Sequence, residues 1–401
     1  MTAELKPARA MPVRFLIPFV GLMLGLNAFS NDILLPAFFA IAADLDTPIE
    51  RVQSLIPIFL IAAGCGQLVS GPVSDRFGRG PLIWAGLGIF LCGSLICAFA
   101  GSIPVLQAGR LVQGFGSACL VVVGRAIMRD RLSGAELARG MALTTAFFAF
   151  GPILAPMTGV ALMALGGWRA VLVGIVAAIL CLAVAAFFGF TETHSDPDLA
   201  ALDPGRMRQA VGRVLAHPQS RLFLITAAAM QFTIVSLVSN SPRLFKSQFG
   251  IEGATYAMLF ALSASGIVVG QLLNHRLIAR IGVLQTTRFA ALLLLLAAGT
   301  MALFTALSWQ SAPLFLLQLA FFNTWFMVVM SNAASLVLEP HRDIAGLTAS
   351  LYGFITQITG SALALATFHL FDGRMLPWSI GLFTTMAIVN VVLLAYRFRQ
   401  D

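Results

Sequence analysis

Charge is what this chain has least of. Only 10% of its 401 residues are Asp, Glu, Lys or Arg, where a soluble domain carries about 25%. So few charges cannot cover a water-facing surface, which excludes a soluble globular fold and makes lipid the main solvent. Strict apolar/polar alternation is missing as well, which excludes a transmembrane β-barrel. No glycine-rich phosphate loop with a lysine is present, so nothing points to ATP hydrolysis. The five histidines (His194, His217, His275, His341 and His369) lie in or beside the gaps between apolar runs, without metal-ligand spacing. No Ser/His/Asp set falls on neighbouring runs. The five cysteines, an odd number, lie inside apolar runs and read as small core residues, not as disulfides. A cleavable signal is absent too: the basic stretch 1–14 precedes a run too long for one and reads as a retained anchor.

What is present is apolar. The composition is 59% hydrophobic with a mean hydropathy of +0.90, in continuous runs that reach the ~20 residues a helix needs to span a bilayer. The expectation is an all-α membrane protein with twelve transmembrane helices, six in residues 1–190 and six in 221–401. Residues 191–220 are the longest polar stretch. Its Pro, Asp and Ser read as a linker, followed by an amphipathic helix (Met207, Ala210, Val211, Val214 and Leu215 opposite Arg206, Arg208 and Arg213) lying along the inner membrane surface. With twelve spans, nineteen of the 25 Lys and Arg fall on the side of both termini, Lys6, Arg9, Arg397 and Arg399 among them. Five fall on the other side and Arg110 inside a span. That bias puts both termini in the cytoplasm and explains the net charge of +8 without nucleic acid.

The two halves carry a shared signal. Gly66-Gln67-Leu68 followed by Arg76-Phe77-Gly78 recurs as Gly270-Gln271-Leu272 followed by Arg280-Ile281-Gly282. Duplicated six-helix halves with a site between them at mid-membrane are a common transporter plan.

Asp32 is the one acidic residue well inside any expected span. A carboxylate near the bilayer centre costs about 2.5–3.5 kcal/mol, which makes Asp32 a candidate proton-binding group; the alternative is a helix-end residue reaching the outer interface. Arg110, the one basic residue inside a span, falls at a similar depth on helix 4. It either tunes Asp32 or anchors the helix at the interface. Polar and aromatic residues within apolar runs, Asn27, Phe29, Asn31, Gln113, Phe147, Gln231, Asn323, Trp325 and Tyr352, are candidates to line a substrate cavity; interhelical hydrogen bonding is the competing reading. Gly151-Pro152, Pro156 and Gly159 on helix 5 predict a bend, since two prolines remove two backbone donors.

These motifs carry a resemblance. Gly71-x-x-x-Asp75-Arg76-x-Gly78-Arg79 is similar to the loop 2–3 signature of the major facilitator superfamily. Arg110-x-x-Gln113-Gly114 resembles the helix-4 signature of its proton-coupled drug exporters, and Gly151-x-x-x-Ala155-Pro156-x-x-Gly159 their helix-5 antiporter signature, with Ala155 and Val160 where glycine is usual. Asn31-Asp32-Ile33-Leu34-Leu35-Pro36, Arg125-Ala126-Ile127-Met128-Arg129-Asp130 and Glu192-Thr193 extend the similarity to the bicyclomycin and chloramphenicol resistance branch. The resemblance implies proton-coupled efflux of small, largely apolar compounds across the bacterial inner membrane, by a monomer in lipid with no cofactor besides the coupled proton and no metal. It implies proton coupling at Asp32 and Arg110. It also implies a conformational latch at Gly71, Asp75, Arg76, Gly78 and Arg79, with Asp75 facing the start of helix 11 near Asp343. The alternatives are proton-coupled transport of one metabolite (a sugar, siderophore or amino-acid derivative), and a membrane-embedded enzyme or receptor, for which the sequence offers no catalytic cluster.

Overall fold

The computed structural model describes residues 11–194, 198–371 and 373–396; Lys6, Arg9, Arg397 and Arg399 lie outside them. Every regular element among the described residues is helical. In chain order they are α1 (Val13–Asp32), α2 (Phe38–Asp44), α3 (Ile49–Gln53), α4 (Leu55–Phe77), α5 (Arg79–Ala98), α6 (Ile103–Arg131), α7 (Gly134–Gly189), α8 (Pro204–Ala216), α9 (Pro218–Phe249), α10 (Gly253–Ala306), α11 (Ala312–Leu338), α12 (Ala345–Phe371) and α13 (Met375–Ala395). Short 3-10 turns at Leu35–Ala37 and Glu339–Ile344 join α1 to α2 and α11 to α12.

Nine apolar helical stretches among the described residues are long enough to cross a bilayer. The first bends at the 3-10 turn Leu35–Ala37, and three others turn back within their length, at Gly166–Gly167 in α7, at Gly282 in α10 and at the 3-10 turn before α12. Residues 275–285 read as a loop in sequence. They are helical up to one turning residue, because Gly282 alone takes a positive φ of 77° that costs glycine little.

That turn repeats one in the first half. Gly78, between α4 and α5, has φ 95° and ψ 171°; Gly282 has φ 77° and ψ 167°. The duplicated Arg-x-Gly motif therefore makes the same backbone reversal twice.

Side chains facing lipid are apolar and exposed, among them Phe187, Phe188, Val391 and Leu394. Lipid supplies no hydrophobic force between helices, so close packing and hydrogen bonds hold them together. In the first half α6 is central, packed by α1, α4 and α5, with α7 against α1. In the second, α11 packs on α9 and α10, and α13 on α9 and α10. The halves meet along two seams, α4 against α12 and α7 against α10. The linker helix α8 does not lie free on a surface: Ala210 and Val214 are buried and the helix packs on α9 and α12.

Candidate functional site

Asp32 is the last residue of α1, and the span continues to Asp44, about 18 Å of helical rise beyond it. The break there has a local cause. Pro36 has no N–H to give the Asp32 carbonyl and disfavours helix in the residue before it, so the chain tightens into a 3-10 turn. The Asp32 side chain is buried, and among the described residues its carboxylate makes no hydrogen bond or ion pair. It lies within electrostatic reach of Tyr256 in the second half, whose hydroxyl shares a 2.7 Å hydrogen bond with Ser241.

Arg110 stands close by in sequence register and is fully buried, but it is turned into the first half. Its guanidinium donates to the Asn31 side-chain carbonyl, to Gln113 Oε1 at 2.8 Å and to the backbone carbonyls of Ser30 at 3.3 Å and Leu55 at 3.2 Å. Its carbon centre sits 4.2 Å over the Phe59 ring. Gln113 passes the chain on to Ser94 Oγ at 2.7 Å, and Asn27 donates to Ser117 Oγ at 2.9 Å. A buried cation needs its donors satisfied; here neutral oxygens and one aromatic face do that, without a carboxylate.

The helix-5 stretch is packed on this region. A Cβ on Gly159 would lie 2.2 Å from the Ile33 carbonyl oxygen, and one on Gly151 would be 3.3 Å from the Ala28 Cβ. Only glycine lets α7 come this close to the Asp32 segment. The backbone stays helical through Pro152 and Pro156, departing only at Gly166 and Gly167.

The nine-residue stretch at 71–79 is tied mainly to its own half. Asp75 accepts from Arg79 at 2.7 Å, and Arg79 also donates to Asp130 and Ser74, each at 2.7 Å. Arg76 donates to the Leu199 carbonyl at 3.2 Å. Glu192 accepts from the amides of Arg79, Gly80, Thr193 and His194 at 2.7–3.1 Å, capping the start of α5. Burial pushes the Glu192 carboxyl up, but these four donors outweigh it and hold it below the usual carboxylate range. Asp75 and residues 343–347, where the 3-10 turn runs into α12, line one cleft of about 240 Å³ between the halves, yet Asp75 and Asp343 do not share a partner. Asp343 accepts from Arg213 of α8 at 2.5 Å, and that guanidinium holds its carboxyl low.

Along the α4–α12 seam a Cβ on Gly71 would meet Ser350 Oγ at 2.8 Å, and the Gln67 side chain fills the dent left by Gly353. At the end away from the linker, Gln53 donates to the Ser239 carbonyl at 3.0 Å and to Asn240 at 3.1 Å, and Glu50 pairs with Arg243 at 2.7 Å. None of these contacts at the far end is legible from sequence spacing, because the partners lie nearly two hundred residues apart.

The cavity candidates separate into groups. Asn27, Asn31 and Gln113 belong to the Arg110 network. Asn323 donates to the Ser263 carbonyl at 3.1 Å, and Trp325 packs edge-on to Phe289 and Phe321 within the second half. Gln231 packs against Gly360, and the Tyr352 hydroxyl lies 3.7 Å from the Met330 sulfur. Phe29 is partly buried against the core. The Phe147 side chain lies outside the described residues.

The family model described as Major Facilitator Superfamily matches residues 20–365. Among known proteins, the chain is 28% identical to a bicyclomycin resistance protein homolog of Haemophilus influenzae, covering 94% of each chain. It is 29% identical to the multidrug resistance protein MdtL of Escherichia fergusonii, covering 96% of this chain and 95% of that one. Among solved structures, a D-xylose-proton symporter superposes with a TM-score of 0.74 at 13% identity, over 93% of this chain and 96% of that one. The human organic anion transporter MFSD10 does so at 0.65 and 20% identity, over 96% and 98%.

Proposed function

This chain belongs to the Major Facilitator Superfamily, and we propose that it is a proton-coupled exporter of small, largely apolar compounds such as antibiotics, working by alternating access in a bacterial inner membrane. It is a multi-pass membrane protein of a transporter family, and catalysis of a chemical reaction is not part of the reading. The relatives named for bicyclomycin and multidrug resistance support export. The lysine and arginine bias supports cytoplasmic termini, which makes the linker end the cytoplasmic one.

The observation that carries the proton coupling is the Asp32 carboxylate: buried, unpaired among the described residues, placed where α1 breaks and within electrostatic reach of Tyr256 of the other half. Protonation removes the charge that the apolar surroundings disfavour, so loading a proton biases which arrangement of the halves is stable. One proton entering down the membrane potential supplies about 2.3 kcal/mol per 100 mV, enough for tens-fold accumulation. Arg110 acts in this reading by fixing the α1–α6 geometry around Asp32 through Asn31. The linker-end cleft and its Asp75–Arg79–Asp130 cluster form the latch. The test is proton release from the purified, reconstituted protein on addition of a compound panel. Compound-dependent release supports exchange, and its absence across the panel, with transport intact, overturns it.

A further inference from the structure

The face of α6 that borders the linker-end cleft is apolar apart from two arginines. Val122, Ala126 and Arg129 line the cleft opposite Gly346, Leu347 and Ser350 of α12. Arg125 lies on the same face, three residues after Val122 and four before Arg129. It stands six residues in from the end of α6 at Arg131, about 9 Å of helical rise. Its side chain is ringed by protein yet open to solvent, and it is within electrostatic reach of Tyr352 on α12. By helical register Arg125 flanks the cleft that Arg129 lines, on the side toward Tyr352 of the second half.

Among the described residues no carboxylate answers these two cations. Asp75 and Asp130 are engaged by Arg79, Asp198 by Arg206 and Asp343 by Arg213. Among the described residues neither Arg125 nor Arg129 makes a hydrogen bond or an ion pair. Like charges one helical turn apart repel unless an anion lies between them. Ten donor positions on two guanidinium forks, an opposing hydroxyl and apolar walls make a complementary surface for one anionic group with several acceptor oxygens attached to an apolar body.

We propose that Arg125 and Arg129 select substrate, so that the cleft admits amphiphiles bearing a single carboxylate or sulfonate. The proposal rests on the transporter reading and narrows its substrate class. The same anionic chemistry is also offered by a phospholipid headgroup entering from the bilayer, and the experiment separates the two.

The probes are 1-anilinonaphthalene-8-sulfonate and N-phenyl-1-naphthylamine, one ring system with and without the sulfonate. Binding is titrated by fluorescence to the full-length protein in phosphatidylcholine nanodiscs, against empty discs. The wild type is expected to favour the sulfonate by about tenfold, the size of one charge-assisted hydrogen bond, with the preference shrinking as salt rises. Arg125→Gln combined with Arg129→Gln should bring the affinity ratio of the two probes to about one, and Arg125→Lys should keep most of it. A wild-type ratio near one, or an unchanged ratio in the double variant, overturns the proposal, and so does an equal loss of both probes. If discs containing phosphatidylglycerol abolish sulfonate binding to the wild type, the anion is a lipid headgroup and the substrate assignment falls. Proton release by neutral compounds is read separately, so failure here leaves proton-coupled export standing, and the converse also holds.

Discussion

The Arg110 guanidinium is held by the side-chain carbonyl of Asn31, one residue short of Asp32, and not by the Asp32 carboxylate. Cation and acid therefore do not pair directly, because Asn31 and Asp32 leave α1 about 100° apart. Asn31→Ala removes one acceptor from a fully buried cation. The expected cost is about 1–3 kcal/mol, read as a lower midpoint of thermal unfolding in detergent; an unchanged midpoint would show that Arg110 does not depend on this bond.

Asp32→Asn keeps the shape of the side chain and removes its ability to carry a proton as a carboxylate. Proton-driven efflux should be abolished while the protein folds and elutes as the wild type does. Full activity in a vesicle pH-gradient assay would sink the coupling assignment.

Asp75→Asn breaks an ion pair whose acid is half exposed, so its effect on stability should stay under about 1 kcal/mol. Transport should slow without a change in which compounds are carried. Initial rates across a compound panel decide this, and an altered range would count against a latch.

Glu192 gives a pH dependence with a definite sign. Its folded carboxyl titrates below the ordinary carboxylate value of ~4.3, so its contribution is full above that pH and is lost as pH falls through the lower folded value. Glu192→Gln should destabilise the protein at pH 7 by about 0.5–2 kcal/mol, the size of a helix cap. The gap to wild type should narrow once pH falls below the ordinary carboxylate value and close as it passes the lower folded one. A gap that stays constant from pH 7 to pH 3 would rule out the capping charge as its cause.

The all-helical membrane fold and the duplicated Arg-x-Gly turn were legible, since each depends on local composition or on a residue with a unique conformational range. Gly78 and Gly282 show this: the motif recurs in sequence and the φ values recur in space. The side-chain partners were not legible in the same way. A polar residue in an apolar run must be satisfied, but its period says which face it is on and not which helix it meets. Asn27, Asn31 and Gln113 thus read equally well as cavity lining or as internal bonds, and the structure joins them to Arg110 or its neighbours. Glu50–Arg243 and Arg213–Asp343 join residues more than a hundred positions apart, for which spacing carries no signal. Glu192 and Asp130 were visible only as parts of a resemblance. Their role became plain when the amides of Arg79 and Gly80 and the Arg79 guanidinium were found on them.

The closure at the end away from the linker is made of Gln53 on Ser239 and Asn240, and of Glu50 on Arg243. Such a gate is wettable. Parting it exchanges each contact for one with water, a net change of only about 0.5–1.5 kcal/mol per hydrogen bond, where parting an oily plug of the same size would expose apolar surface at about 25 cal/mol per Å². These contacts therefore add little to the barrier against parting this end, an amount on the scale of the electrical work on one proton, about 2.3 kcal/mol per 100 mV.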